Sequence, residues 1–83
     1  QILYRKGEFE EALTYLEPAA RGLADDPIVQ FHLGKTYQAL GRIEDARTAY
    51  ERAVNIASEN DPRDQISEAR EELHQLKSAT QDQ

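Results

Sequence analysis

Apolar residues recur along this chain every three or four positions, the period of a helix with one buried stripe. Phe9, Ala12, Leu13, Leu16, Ala19, Ala20 and Leu23 share such a stripe. The pattern predicts helices over 9–23, 28–40, 44–57 and 62–78, with Gln1–Lys6 as the end of an earlier one. In the last helix Ile66, Ala69, Leu73 and Leu76 stand three, four and three residues apart. Pro18 removes one backbone bond, but the apolar phase continues beyond it, which predicts a bend and not a break. Ser58–Asp61 reads as a turn, and Ala79–Gln83 as a polar tail that frays.

The elements repeat. Gly7-Glu8-Phe9-Glu10-Glu11-Ala12 returns as Gly41-Arg42-Ile43-Glu44-Asp45-Ala46, 34 residues later. Leu3/Tyr37, Leu16/Tyr50 and Ala19/Ala53 keep the same offset. A period of this size signals stacked helix pairs, each burying its apolar face on the next. Asp26 before Pro27 and Asp61 before Pro62 both read as an N-cap followed by a helix-opening proline. The two prolines lie 20 and 21 residues beyond Gly7 and Gly41, so one residue is inserted in the second connection.

Leu33-Gly34-x-x-Tyr37, followed by Gly41, Ala46, Tyr50 and Ala53, resembles the tetratricopeptide repeat. Each position has a mechanical reason. Gly34 lets a neighbouring helix approach its backbone, and Gly41 takes the left-handed conformation that ends a helix. Ala46 and Ala53 are small partners, while Tyr37 and Tyr50 fill the space between helices. Two departures stand out. The family's frequent tryptophan is Gln30 here, and its repeat-end proline is absent at Ala24 and Ser58.

The resemblance implies an all-α fold of antiparallel helix pairs stacked as a short right-handed superhelix. Residues 1–26 form a partial repeat and 27–60 a complete one. Residues 61–78 form a C-terminal capping helix and 79–83 a frayed tail. Glu68 and Glu72 stand where a third repeat would place an apolar residue and its tyrosine, hence the cap. The run from Gly41 to Arg47 looks like bacterial members of the family. With no Met, and a start inside a repeat, the chain reads as an excised piece.

Composition narrows the chemistry. Ten basic against 16 acidic residues give a net charge of −6, which argues against nucleic acid as partner. The absence of cysteine excludes disulfides, thiolate metal sites and a cysteine nucleophile. No apolar run is long enough for a membrane span. Glu71-x-x-His74 has the spacing of a helical di-metal motif, but such sites need a second copy. His32 has no evident acid partner, and no Gly-rich phosphate loop occurs. No enzyme, metal or cofactor is expected. Compartment stays open, since cytoplasm and bacterial periplasm both suit these residues.

A binding surface remains. In the family, first helices of successive repeats line a concave groove for peptides or partner helices. Carried over by position, the groove would be lined by Tyr4, Arg5, Ile28, Phe31, Lys35 and Gln38, with Ala39 beside them and Gln65 and Ala69 closing one end. Residues 1–7 and 27–41 contain no Asp or Glu but include Arg5, Lys6 and Lys35. That split suggests a peptide ligand with an apolar anchor and a carboxylate, from a side chain or a C-terminus, meeting exposed Tyr4 and Phe31. The expected function is non-catalytic protein–protein interaction, as scaffold or adaptor. The alternatives are self-association into a homo-oligomer, through the edge left by the partial repeat or through heptad-like spacing in the last helix, and a regulatory arm of a larger protein.

Overall fold

The computed structural model describes residues 6–23, 25–58 and 61–81. They form four helices: α1 (Lys6–Gly22), α2 (Pro27–Ala39), α3 (Ile43–Ile56) and α4 (Asp64–Gln81). Helix α2 is central, packed between α1 and α3 and touching α4, while α4 lies along α3. The all-α helical-repeat architecture expected from the sequence is present.

Helix α2 begins where the sequence says it should. The Asp26 carboxylate accepts the N–H groups of Ile28 at 2.9 Å and Val29 at 3.4 Å, and Pro27 opens the first turn. It ends at Gly41, whose φ is +80°. Arg42 N–H donates to the Tyr37 carbonyl and Gly41 N–H to that of Gln38. These paired bonds satisfy carbonyls that the helix end would leave bare. The chain then reverses into α3.

Tyr50 on α3 is the centre of the core, fully buried with Ala46 and Ala53 on the same stripe. Its ring lies over Gly34. A Cβ there would stand 2.8 Å from two ring carbons, closer than real contacts allow. The Tyr50 hydroxyl donates to Gln38 Oε1 at 2.7 Å, and the Phe31 ring sits 6.3 Å away. Across α1 and α2, the Tyr37 hydroxyl donates to the Glu17 carboxylate, and Arg42 stacks on the Tyr37 ring at 4.6 Å. Burial, then Glu17, pushes the Tyr37 hydroxyl up to about 12.

Three boundaries differ from the sequence reading. Lys6 and Gly7 belong to α1, so Gly7 is no counterpart of the left-handed Gly41. Helix α4 starts at Asp64, not Pro62. The Asp61 carboxylate is taken by Arg63, through its backbone N–H at 3.0 Å and its guanidinium at 2.8 Å, and Ile66 and Ser67 donate to the Arg63 carbonyl. At its other end α4 runs on to Gln81, into the segment expected to fray. Pro18 leaves α1 unbroken to Gly22. The apolar set of α4 is as expected: Ile66 and Ala69 are fully buried, with Leu73 and Leu76 nearly so.

Candidate functional site

A groove of about 690 Å³ opens between α1, α2 and α4. Phe9 and Ala12 of α1 and Thr36 and Ala39 of α2 line its less polar part. Glu8 stands on one rim, His32, Lys35 and Gln38 along α2, and Glu72 on the side of α4. Helical period explains the α2 contribution: His32, Thr36 and Ala39 lie on one face, opposite the Gly34 face that meets α3.

The sequence-expected residues divide. Lys35 and Gln38 line the groove, with Ala39 beside them. Gln38 also accepts the Tyr50 hydroxyl, so it joins the groove to the core. Phe31 is not an exposed anchor. Only 5 % exposed, it packs toward Tyr50, because its place on α2 turns it to the α3 side. Ile28 is half-buried at the capped start of α2 and does not line the groove. Tyr4 and Arg5 lie outside the described residues. Ala69 cannot close the groove, since it is fully buried in the core.

The groove also holds residues that sequence reasoning passed over. Glu8, Phe9 and Ala12 come from α1, the second helix of the partial repeat, whereas the groove was expected along first helices. Glu72 comes from α4, about forty residues beyond His32 in the chain.

These additions change the electrostatics. Lys35 Nζ is 2.6 Å from Glu68 Oε2, both side chains being about half exposed. Such a pair contributes little to stability, but it places a carboxylate against the cation meant for a ligand. Glu72 Oε2 is buried and has no hydrogen-bond donor among the described residues. Burial, and then the charges of Glu72 and Glu68, push the Tyr50 hydroxyl above its ordinary value.

Chemically the groove offers shape, apolar contact and charge. No group of His, Asp and Glu able to hold a metal ion occurs among the described residues. None of their helices is long and apolar enough to cross a membrane. The family whose sequence model matches the chain is the tetratricopeptide repeat, over residues 3–65. No curated protein and no solved structure matches it.

Proposed function

Because the chain belongs to the tetratricopeptide repeat family, we propose that it is a non-catalytic protein–protein interaction module that holds a peptide or helix of a partner protein in the groove between α1, α2 and α4. The observation that carries this reading is the groove itself, lined by Phe9, Ala12 and Ala39 together with polar and charged side chains. Apolar contact supplies affinity and a few placed polar groups supply orientation.

A random peptide library selected against the chain tests the reading. Selected peptides are expected to lose binding to Ala39→Arg, which fills the groove, and to keep it with Thr48→Arg on the exposed side of α3. Peptides indifferent to Ala39→Arg would place binding elsewhere.

The carboxylate-bearing ligand suggested by the sequence gains no support from the described groove. Lys35 is already paired with Glu68, and Glu8 and Glu72 bring negative charge to the same place.

One observation favours self-association as a second reading. Ala12, Leu16 and Ala19 of α1 are the repeat counterparts of Ala46, Tyr50 and Ala53. The α3 set is fully buried, whereas the α1 set is only half-buried, next to Tyr15 at 70 % and Leu23 at 55 % exposed. A second copy could cover that stripe. Light scattering over a concentration series tests it: mass rising with concentration, and falling back in Tyr15→Glu/Leu23→Glu, supports a dimer, and constant monomer mass excludes one.

A further inference from the structure

The groove reading leaves open what kind of segment the groove prefers, and here the geometry points away from the sequence. Resting on that reading, we propose that the groove takes a cationic, amphipathic segment of another protein. Its apolar side would lie on Ala12 and Ala39, and a Lys or Arg would pair with Glu72 and Glu8.

Three observations carry this. First, Glu72 lines the groove while its Oε2 is buried with no donor among the described residues. A carboxylate with no donor beside its buried oxygen is unfavourable, and a cation in the groove near the rest of the Glu72 side chain offsets its charge. Second, the one lysine that lines the groove among the described residues is held by Glu68 at 2.6 Å. An acidic ligand would bring a second carboxylate to a cation that Glu68 already partly neutralises, whereas a basic ligand leaves the pair as it is. Third, Glu8 also lines the groove, from α1, so two different helices each contribute a carboxylate to it. The net charge of −6 draws such a ligand in and disfavours a second copy of this chain.

The test uses the full chain and two fluorescein-labelled peptides of one helical pattern, one of Leu and Lys, the other of Leu and Glu. Fluorescence anisotropy reads their binding. An acidic protein attracts cations everywhere, so the deciding comparison is between Glu72→Gln and Glu71→Gln. The two variants have equal net charge, and residue 71 lies on the solvent side of α4. The expected result is binding of the Leu/Lys peptide, weakened about tenfold by Glu72→Gln, in keeping with the loss of one charge-assisted hydrogen bond, and nearly unchanged by Glu71→Gln. Glu8→Gln should weaken it as well. Equal loss in both α4 variants, tighter binding of the Leu/Glu peptide, or no binding of the Leu/Lys peptide overturns the proposal. If library-selected peptides still depend on Ala39 in that case, the groove reading stands and only its charge preference falls.

Discussion

At the scale of single residues, two positions on α2 carry opposite messages. Gly34 is there for its lack of a side chain. An added Cβ would meet the Tyr50 ring at 2.8 Å, and Tyr50 is fully buried with no room to retreat. Gly34→Ala should gain about 1 kcal/mol of helix propensity and lose more, about 1–3 kcal/mol, to overpacking. A net fall in thermal midpoint is expected. In a Tyr50→Leu background the same change should become neutral or stabilising, and failure of that rescue in a double-mutant cycle would place the strain elsewhere. Gln30 is the reverse case. It is 2 % exposed and its Oε1 has no donor among the described residues. Gln30→Met keeps the volume and removes the stranded oxygen. It should stabilise by about 1 kcal/mol, since an unpaired buried acceptor costs about 1–3 kcal/mol. For a domain this small that is a rise in midpoint of about 4–8 °C in a circular dichroism melt. The glycine's role was legible, because a mid-helix glycine needs a packing reason. The stranded oxygen was not, because a sequence shows which residue fills a place but not what surrounds its polar atoms.

At the scale of elements, two Asp-Pro pairs that look alike in sequence do different things. Asp26 caps α2 because the N–H groups of Ile28 and Val29 are what its carboxylate finds. Asp61 meets Arg63 instead. The guanidinium fork takes the carboxylate, and α4 begins only at Asp64. The helices were therefore readable, and their edges depended on which donor stood two residues beyond the aspartate. Asp26→Ala should destabilise by about 1 kcal/mol, the usual loss for a capping side chain. For Asp61 the signature is its titration. Hydrogen bonds from the Arg63 side chain and backbone hold its carboxyl down at about 2. A depressed folded-state value means that the pairing is present at neutral pH and fades as pH falls from about 4 toward 2, below the ordinary aspartate range. Arg63→Ala should return the midpoint, followed by carbon-detected NMR, toward the ordinary value of about 3.9. A midpoint still near its present value would mean that the backbone N–H alone holds it.

At the scale of the whole molecule, the groove's charge could not be read from local stretches. The acid-free residues 27–41 suggested a basic wall, yet folding sets Glu8 and Glu72 beside them and pairs Lys35 with Glu68. Stacked helices bring together faces that are remote in sequence, so a wall's charge belongs to several elements at once. Stability is shared in the same way. Helix α4 offers Ile66, Ala69, Leu73 and Leu76 to the core and turns Glu71, His74, Gln75 and Ser78 to solvent. One face of α4 therefore closes the core against α3 and α2 while the other stays wet. Burying a large apolar side chain stabilises by about 1.5–3 kcal/mol. The three large ones on α4 together therefore approach the whole stability of a small domain, about 5–15 kcal/mol. A chain ending at residue 60 should accordingly lose more helicity than the residues of α4 account for, and its urea transition should broaden or vanish. Removing α4 uncovers the faces of α3 and α2 that it packs on, and α1–α3 should not hold alone. If the shortened chain kept a sharp transition near the original midpoint, α4 would be an appendage and not a cap. The groove would then lose its Glu72 wall without losing its floor, and the two roles of α4 would separate in one experiment.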